Sequence, residues 1–387
     1  TTETLFLAGA INRMISTKKD FMSFKALDIL LNSNKIIPHY GDRYRNNKEI
    51  PVPISAEFHW TSNCNYDCTH CSYGSRRRTT NYLTNEVIET LVQDLIDIGC
   101  KAVYLSGGGE PTIIKKWSVY AEQLISGNIE VALITNGVAI RDKHIDIARK
   151  MNYIAVSVYS TIEERYKEIT GSKFFDQQFS LPKNIKNGKS NTIVGARCVL
   201  NKTNYDELYK IYCAAIEAGF DYIIFIPAVD YEGRGVFLED KWIEHVQDNI
   251  KRMIDKFDHT RTNVKSLLKK KISHYSSNNY LDNISNTGSK LCSAIKIGSG
   301  VFFNYDGGVY LCQPDIGNKE LEIGNLNDSR FIDIWNSDRH HEIIARLNKR
   351  WGNGSCKSCR SIAFNQAIDS HQSNPVNINS IEVDYFL

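Results

Sequence analysis

The sequence predicts an α/β fold in which a parallel βα barrel is followed by a smaller C-terminal region. Short apolar runs alternate with amphipathic segments along most of the chain, as strands and helices alternate in parallel βα folds. A polar stretch at 276–289 then interrupts this pattern and is typical of a loop or linker. The 387 residues are enough for a barrel-sized domain and a smaller one.

Six apolar runs are the predicted strands of the barrel. They cover 54–60, 101–106, 130–135, 153–159, 192–200 and 222–227. A helix is predicted between the first two runs, because apolar residues recur there at helical spacing between a capping Thr84 or Asn85 and a terminating Gly99. In parallel barrels the loops at the carboxyl ends of the strands carry the chemistry, so we look for the site there.

Composition narrows the classes of function. The net charge of +3 is too small to indicate a basic surface for nucleic-acid binding, and the run Arg76–Arg77–Arg78 is only a local basic cluster. No apolar stretch approaches the length of a membrane span, and the first residues lack the pattern of a signal peptide. We therefore expect a cytoplasmic protein without a membrane partner. Its ten cysteines are then expected to be reduced rather than paired in disulfides.

Three cysteines follow the first predicted strand with the spacing C-x3-C-x2-C: Cys64, Cys68 and Cys71. Three thiolates match three of the four irons of a cubane iron-sulfur cluster and leave the fourth iron open. The alternative is a structural zinc site, because short cysteine spacings also hold tetrahedral zinc. Such a site needs a fourth ligand, and His70 is the nearest candidate.

A glycine-rich run follows the second predicted strand: Ser106, Gly107, Gly108, Gly109, Glu110 and Pro111. Glycines at the end of a strand are typical of a backbone that must come close to a ligand. The spacing between the cysteine run and the glycine run corresponds to about one βα unit. Both runs are therefore expected at the same end of the barrel.

Together these two motifs resemble those of the radical S-adenosylmethionine (SAM) enzymes. The cysteine triad matches the family's cluster motif, and Gly108–Gly109–Glu110–Pro111 matches its motif for the methionine of SAM. The resemblance implies a partial (β/α)6 barrel of the TIM type, with SAM bound at the open iron of a [4Fe-4S] cluster held by Cys64, Cys68 and Cys71. It also implies reductive cleavage of SAM, with electrons from a flavodoxin- or ferredoxin-type donor, to a 5′-deoxyadenosyl radical that takes a hydrogen atom from the substrate.

Further contacts with SAM are implied by the same resemblance. The cofactor-binding set begins with Gly107, Gly108, Gly109, Glu110 and Pro111. In the family an aromatic residue at the position of His70 packs against the adenine, so we assign His70 to packing rather than to ligation. Thr135 and Asn136 end the third strand, Ser157 lies on the fourth, and Arg197 on the fifth. A strand serine or arginine is equally often a hydrogen-bonded structural group.

Four more cysteines lie in the C-terminal region: Cys292, Cys312, Cys356 and Cys359. The run Asp306–Gly307–Gly308 between two strand-like segments, 301–305 and 309–312, predicts a β-hairpin. This hairpin would bring Cys292 and Cys312 together, and the Cys356/Cys359 pair could complete a site with four thiolates. A four-cysteine zinc ribbon is the alternative.

This region resembles the SPASM extension of radical SAM enzymes, or its shorter twitch form. Beyond the cysteines, the matching features are Gly307 before Cys312, the segment 323–326 and Trp335. The full SPASM pattern has further cysteines after the pair, and none follows Cys359. The resemblance thus implies a small twitch-type domain of β-hairpin and helix that holds a second, fully ligated [4Fe-4S] cluster. Such a cluster has no open iron, which favours electron transfer or a structural role.

These motifs divide the chain and predict its function. The predicted regions are an N-terminal extension (1–50), the radical SAM barrel (51–257), a linker (258–290), the auxiliary cluster domain (291–366) and a tail (367–387). The resemblance implies an oxidoreductase-type radical SAM enzyme that crosslinks, dehydrogenates or epimerises a ribosomally made peptide. One alternative is the same chemistry on a small polar metabolite such as an amino sugar. Another is a non-catalytic binding protein that uses metal only to hold its fold.

The three remaining cysteines are Cys100, Cys198 and Cys213. An epimerase needs a thiol that donates hydrogen to a substrate radical, and the sequence leaves these three as candidates. Free cysteines are more commonly buried small hydrophobic residues. Cys198 neighbours Arg197 on one strand, so their side chains point to opposite faces.

Overall fold

The computed structural model describes residues 50–74, 81–188, 190–228, 235–236, 238–269, 291–356, 364–365 and 368. Most of the predicted N-terminal extension, linker and tail therefore lies outside the described residues, as does Cys359. Among the described helices, none combines the length and the apolar character that crossing a membrane requires.

One sheet of nine strands organises the described residues. The strands are β1 (Ser55–His59), β2 (Ala102–Leu105), β3 (Glu130–Thr135), β4 (Tyr153–Ser157), β5 (Ile193–Leu200), β6 (Tyr222–Pro227), β7 (Gly300–Asn304), β8 (Gly308–Tyr310) and β9 (Gly324–Asn325). Their order across the sheet is β6-β5-β4-β3-β2-β1-β7-β8-β9. All six predicted barrel strands are present and pair in parallel, which confirms the predicted α/β barrel fold.

The C-terminal hairpin extends this sheet rather than forming a separate one. β7 pairs in parallel with β1, with Ser55 opposite Gly300 and His59 opposite Asn304. β8 and β9 then add antiparallel neighbours, and Gly307 has a φ of +88° in the turn between β7 and β8. The predicted hairpin is thus confirmed. Its pairing with β1 joins the two predicted regions through backbone hydrogen bonds.

Helices follow most of the barrel strands, as the βα pattern requires. They are α1 (Asn85–Ile98), α2 (Trp117–Ser126), α3 (Ile145–Ala148), α4 (Glu163–Thr170), α5 (Leu181–Lys186), α6 (Leu208–Glu217), α7 (Asp240–Arg252), α8 (Val264–Lys269), α9 (Ser293–Lys296), α10 (Phe331–Trp335) and α11 (Asp338–Gly352). α1 begins and ends as predicted: the Thr84 hydroxyl accepts from Val87 N, and Gly99 adopts φ +80° at the C-terminus.

Side-chain alternation along the strands gives the sheet two different faces. One face, with Phe58, Leu105 and Phe303 among its members, belongs to a large core packed against the helices. The concave face carries a smaller group of buried residues, including Ala132, Ala155 and Tyr222. A Cβ at position 195 would lie only 2.2 Å from Tyr222 Cζ, so the absence of a side chain at Gly195 leaves room for the Tyr222 ring. Apolar groups therefore fill part of the concave face.

Candidate active site at the carboxyl ends of the strands

The cysteine loop leaves β1 at the carboxyl end of the sheet. Its two ends are tied together, because Ser62 N donates to Asn81 O (2.9 Å) and Leu83 N donates to Trp60 O (2.9 Å). Within the loop, Cys71 N donates to Cys68 O (3.1 Å), which makes a turn between two of the three predicted cluster ligands. Backbone hydrogen bonds therefore join the two ends of the loop and form a turn at Cys68–Cys71.

All three thiols border one cluster of buried side chains. Cys68 belongs to this cluster, and Cys64 and Cys71 pack against it. Its other buried members are Tyr66, Val138, Tyr159, Tyr166 and Ile169. Two backbone bonds anchor the loop to the end of α4, from Asp67 N to Thr170 O (2.7 Å) and from Thr69 N to Ile169 O (2.9 Å). Among the described residues, no three His, Cys, Asp or Glu side chains are grouped to hold a metal ion.

The glycine loop after β2 is bonded to the cysteine loop through backbone atoms. Gly109 N donates to Thr61 O (2.7 Å) and Glu110 N donates to Asn63 O (2.8 Å). A Cβ at Gly109 would lie 1.7 Å from Asn63 O, and one at Gly108, whose φ is +85°, would lie 2.6 Å from Thr61 O. Both glycines are thus required by the contact between the two loops. The sequence had suggested only that the backbone approaches a ligand.

Gly107 differs from its two neighbours. Among the described residues outside its chain neighbours, a Cβ there would meet only His59 Nε2, at 4.0 Å, and the Gly107 backbone is not left-handed. The described residues therefore leave space at this position for a methyl group. Of the three glycines, Gly107 is the one whose missing side chain leaves room for a ligand rather than for a neighbouring loop.

Glu110 ties the glycine loop to the end of β3. Its carboxylate accepts from Thr112 N (3.1 Å), Thr112 Oγ1 (2.5 Å), Thr135 Oγ1 (2.6 Å) and Asn136 N (2.8 Å). Burial raises the pKa of this carboxyl above its ordinary value, although the hydrogen bonds from Asn136 and Thr112 oppose the shift. Four bonds occupy most of the acceptor capacity of a carboxylate, so the geometry favours a positioning role for Glu110.

The loop after β3 completes the set of joined loops. Asn136 Nδ2 donates to Asn65 Oδ1 (2.7 Å), which lies between the first two cysteines of the cysteine loop. Thr135 Oγ1, besides donating to Glu110, accepts from Gly137 N (2.9 Å). Thr135 and Asn136, predicted as SAM contacts, thus connect the loops after β1, β2 and β3.

The remaining predicted SAM contacts lie around the same space. Ser157 and Arg197 are paired in register across β4 and β5 and lie on the concave face. The His70 ring lies 5.4 Å from the Tyr159 ring. Pro111 is buried, and its carbonyl accepts from Trp60 Nε1 (3.2 Å).

A polar array on β1 was not predicted. Glu57 and His59 lie on the concave face, where His59 Nε2 is 2.8 Å from Glu57 Oε1 and His59 Nδ1 bonds the Tyr73 hydroxyl. The His59 side chain is 2 % exposed. Tyr73 in turn packs against Tyr305 in the hairpin turn, with ring centroids 6.4 Å apart. The alternation of Ser55, Glu57 and His59 with apolar residues was the signal that could have found this array.

The hairpin turn also reaches the glycine loop. Tyr305 Cδ1 would lie 3.5 Å from a Cβ at Gly108. Through Tyr305 the C-terminal region therefore lies beside both the glycine loop and the Glu57–His59–Tyr73 array.

Two of the C-terminal cysteines are brought together at the other end of the hairpin. Cys292 and Cys356 pack in one cluster with Trp351. Cys292 N donates to Asn348 Oδ1 (3.0 Å), and Asn365 Nδ2 donates to the Cys292 sulfur (3.4 Å). Burial raises the pKa of the Cys292 thiol, which disfavours a bare thiolate there.

Cys312 follows β8, and Arg350 of α11 lies beside both Cys312 and Cys356. Arg350 forms two bonds with Asp315, from Nη1 to Oδ1 (2.8 Å) and from Nη2 to Oδ2 (2.6 Å). Burial raises the pKa of the Cys356 thiol and the Arg350 guanidinium opposes that shift. Arg350 Nε is buried and has no hydrogen-bond partner among the described residues. A cationic donor beside clustered thiols fits a sulfur-rich anionic group such as an iron-sulfur cluster.

The other three cysteines lie away from the concave face. Cys100 and Cys198 are buried in the core packed against the helices, and Cys213 is exposed on α6. Burial raises the pKa of the Cys198 thiol far above its ordinary value. Arg197 and Cys198 do point to opposite faces of β5. None of these three thiols is therefore placed to donate hydrogen to a radical inside the barrel.

Although the three thiols are not grouped around a single metal ion in this structure, the donor set at the carboxyl ends fits an open-iron cluster with SAM. The donor set is three thiols on one loop, and the loop is joined to a glycine loop whose Gly107 leaves room beside it. Cys64, Cys68 and Cys71 would hold the cluster, and Gly107 would border the methionine end of SAM.

Two family models match this chain. The model of the Radical SAM superfamily matches residues 59–226, and the model of the iron-sulfur cluster-binding domain SPASM matches residues 292–360. Together the two matches cover more than half of the chain. These matches support [4Fe-4S] clusters and SAM as the cofactors, in place of the zinc alternatives.

The similar proteins include maturases and GTP 3′,8-cyclases. The mycofactocin maturase MftC of Mycolicibacterium smegmatis is 23% identical over 332 residues, which cover 84% of this chain and 79% of that protein. The cysteine-type anaerobic sulfatase-maturating enzyme of Clostridium perfringens is 21% identical over 374 residues, covering 80% and 90%. A probable GTP 3′,8-cyclase of Sulfurisphaera tokodaii is 28% identical over 204 residues, covering 50% and 63%.

Solved structures show the same fold at low sequence identity. Streptococcus suis SuiB bound to S-adenosylmethionine has a TM-score of 0.58 at 14% identity and covers 82% of this chain and 72% of that chain. The structure of anSMEcpe with AdoMet and the Cp18Cys peptide has a TM-score of 0.55 at 19% identity and covers 86% and 93%. With both family models matched, the chain belongs to the radical SAM superfamily and is an enzyme that carries a SPASM region after its barrel.

Proposed function

We propose that this enzyme oxidises a ribosomally made peptide by hydrogen abstraction and transfers the remaining electron to an auxiliary cluster. The products in this proposal are a crosslink or a dehydrogenated residue. The observation that carries it is the pairing of β7 with β1, which attaches the auxiliary cysteines to the strand that leads into the cysteine loop. A second redox group built into the barrel sheet suits a reaction that must dispose of an electron.

The chemistry supplied by the bound cluster and SAM is a 5′-deoxyadenosyl radical that removes one hydrogen atom from the substrate. A net two-electron oxidation then requires the substrate to lose one further electron and one proton. The protein must provide an acceptor for the electron and an acceptor for the proton. It must also keep water and stray hydrogen donors away from the reacting carbon.

The electron side of the reaction rests on the C-terminal cysteines. Cys292, Cys312, Cys356 and Cys359 would hold the auxiliary cluster, and four protein ligands leave it no open iron for substrate. Arg350 beside Cys312 and Cys356 would favour the more negative, reduced form of that cluster. These features support a role as electron acceptor.

The proton side rests on the Glu57–His59–Tyr73 array. In the array the Tyr73 hydroxyl donates to His59 Nδ1, and His59 Nε2–H donates to Glu57 Oε1 (2.8 Å). A proton lost by the substrate would pass to the Tyr73 oxygen while Tyr73 passes its own proton to His59 Nδ1, and the Glu57 carboxylate behind the imidazole would stabilise the positive charge. We assign the array as the proton acceptor of the oxidation.

Epimerisation, which the sequence left open, is the less favoured outcome. It needs a hydrogen donor at the substrate radical, and Cys100, Cys198 and Cys213 lie away from the concave face. Oxidation needs no such donor. This distribution of thiols supports the oxidative products.

Relatives support a peptide substrate over a small metabolite. The matches to the two named maturases cover 84% and 80% of this chain, whereas the match to the GTP 3′,8-cyclase covers 50%. A structure of SuiB bound to its precursor peptide SuiA has a similar fold, with a TM-score of 0.58 at 13% identity. A small polar metabolite such as an amino sugar stays the second candidate, because the cyclase relatives act on a nucleotide by name.

The test is a search for product by mass. The protein is co-expressed with each short reading frame encoded beside its gene, and the peptides are analysed by mass spectrometry. Loss of two hydrogen atoms, localised by fragmentation, is the expected result. Peptides of unchanged mass, together with SAM cleavage that an added extract of small metabolites stimulates, would overturn the peptide in favour of the metabolite.

An electron donor for the first step is part of the proposal. We propose a flavodoxin or ferredoxin, because the cluster must be reduced by one electron at a time. Purified enzyme with reduced flavodoxin should then cleave SAM without any chemical reductant. Cleavage supported by dithionite but by neither protein donor would contradict this assignment.

A further inference from the structure

Tyr159 lies two residues after β4 and packs beneath the cysteine loop. Its hydroxyl is 3.6 Å from the sulfur of Cys68, within hydrogen-bonding distance for a sulfur atom. The side chain is 6% exposed, and its ring lies in the cluster of buried residues that all three thiols border. The contact is thus a buried one between a phenol and a predicted cluster ligand.

The direction of this hydrogen bond follows from the state of the sulfur. A cysteine that binds iron is a thiolate and has no proton to donate, so the tyrosine O–H must be the donor. A tyrosine phenol ordinarily loses its proton only at about pH 10, so at neutral pH Tyr159 has a proton to donate. A buried O–H to thiolate bond is charge-assisted and stronger than a neutral one.

We propose that Tyr159 is a positioning residue of the SAM-binding cluster, whose hydroxyl holds Cys68 and raises the reduction potential of that cluster. Reduction adds one electron, and hence one negative charge, which the cluster shares with its ligand sulfurs. A donor to one of these sulfurs stabilises the reduced form more than the oxidised form. Hydrogen bonds to the sulfurs are one of the means by which proteins set the potential of iron-sulfur clusters.

Neighbouring tyrosines provide a contrast within the same cluster of side chains. The hydroxyls of Tyr66 and Tyr166 bond each other at 2.5 Å, and the rings of Tyr159 and Tyr166 are 6.2 Å apart. Tyr66 contacts a cysteine through its backbone instead, because its N–H donates to the Cys64 sulfur (3.4 Å). Tyr166 therefore offers a matched control: it is an equally buried phenol in the same cluster whose hydroxyl bonds another phenol.

Tyr159 also lies next to two predicted contacts of SAM. Its ring packs against His70, and the Ser157 hydroxyl lies beside its own. The same phenol therefore contacts a cluster ligand on one side and the predicted SAM pocket on the other. Loss of its hydroxyl should change the cluster without removing any predicted ligand of SAM or iron.

The experiment compares Tyr159→Phe and Tyr166→Phe with the wild-type holoenzyme in a redox titration. The cluster at the cysteine loop is followed by the electron paramagnetic resonance signal that changes when SAM is added, with no substrate present. At the wild-type midpoint, the ratio of reduced to oxidised cluster should fall about tenfold in Tyr159→Phe, a shift of about 59 mV. Tyr166→Phe should titrate as wild type. Equal midpoints for Tyr159→Phe and wild type, at equal iron content, would overturn the proposal.

A second variant keeps the test decisive if Tyr159→Phe loses iron. Replacement of Tyr159 by a fluorotyrosine preserves the shape and makes the phenol a stronger donor, so the midpoint should shift in the opposite direction. No shift in that protein would overturn the tuning role. The inference rests on the assignment of the cluster to Cys64, Cys68 and Cys71, but not on the peptide. Loss of the SAM-responsive signal in Cys68→Ala checks that assignment separately, and failure to find a modified peptide leaves it untouched.

Discussion

The two sets of thiols in this enzyme are assembled in different ways. Cys64, Cys68 and Cys71 share one short loop, which backbone hydrogen bonds join to the loops after β2 and β3 and to the end of α4. The described auxiliary cysteines come from separate elements, before α9, after β8 and after α11, and side chains such as Asn348, Asn365 and Trp351 surround them.

This difference indicates where each site is vulnerable. The first site is specified by local spacing and by backbone contacts between neighbouring strand ends, so most side-chain changes around it leave its frame intact. The second depends on tertiary packing of distant segments, so its thiols stay together only while the hairpin and α11 remain folded. We expect single substitutions to separate the two sites experimentally.

The largest effect is expected from removal of one ligand of the first site. Cys68→Ala should reduce SAM cleavage under a strong reductant to background, because an open-iron cluster needs its three thiolates. Formation of 5′-deoxyadenosine, measured by chromatography, is the assay. Cys213→Ala is the matched control. The Cys213 thiol is exposed on α6, so this variant should cleave SAM as the wild-type enzyme does. Cleavage at the wild-type rate by Cys68→Ala would remove the cluster from this loop.

Next in size is a contrast between two glycines of one motif. Gly109→Ala places a Cβ 1.7 Å from Asn63 O, so the cysteine loop must move, and iron should fall from about eight to about four atoms per chain. In Gly107→Ala the new Cβ lies 4.0 Å from its nearest described neighbour, His59 Nε2, so this variant should keep its iron while SAM binding weakens about tenfold. Iron analysis and equilibrium dialysis with SAM measure the pair. Normal iron in Gly109→Ala would show that the loops can separate without loss of the cluster.

Removal of an auxiliary ligand should act on the product rather than on SAM. Cys312→Ala is expected to retain SAM cleavage, to lose about four irons and to form no oxidised product. Loss of a metal site also destabilises a small domain, so a melting curve on the same sample distinguishes unfolding from loss of electron transfer. Full product yield from folded Cys312→Ala would leave the auxiliary cluster without a redox role.

The smallest expected effect is a pH dependence confined to the C-terminal region. Burial lowers the pKa of His340 from 6.5 to about 4, with its Nδ1 2.7 Å from Trp335 O. The unfolded chain therefore binds a proton more readily, so the stability contributed by the neutral His340 is complete above pH 6.5 and is lost progressively as the pH falls from 6.5 to about 4. At pH 5 the loss should be about 2 kcal/mol.

Tryptophan fluorescence, to which Trp335 contributes with its ring 4.3 Å from that of His340, reports this loss of stability during urea unfolding at pH 7 and pH 5. His340→Gln should abolish most of the difference between the two pH values, whereas the exposed His341→Gln should retain it. A difference that persists unchanged in His340→Gln would assign the acid sensitivity to another group.

Much of the fold could be predicted because its signals are local. The strand of Glu130–Thr135, the helix between Thr84 and Gly99, and the hairpin at Gly307 each follow from apolar periodicity, capping residues or turn residues. The cysteine spacing likewise lies within one loop. In these places nearby residues determine the conformation, so the sequence alone is sufficient to predict the structure.

What could not be predicted depends on contacts between distant segments. No residue pattern on β7 identifies β1 as its parallel partner, and nothing in the glycine motif indicates that Gly109 faces Asn63 of another loop. The bond from Tyr159 to Cys68 joins residues on different loops for the same reason. The division of the chain into domains at 257 and 291 stays a prediction.

The position of β1 between β2 and β7 bears on how this enzyme can be divided. A truncated chain that ends before the hairpin would leave the backbone N–H and C=O groups of β1 unpaired along one edge. Such an edge is a template for intermolecular strand addition, so the barrel alone should tend to aggregate. Engineered versions that exchange the C-terminal region would need to supply a replacement strand in the same register.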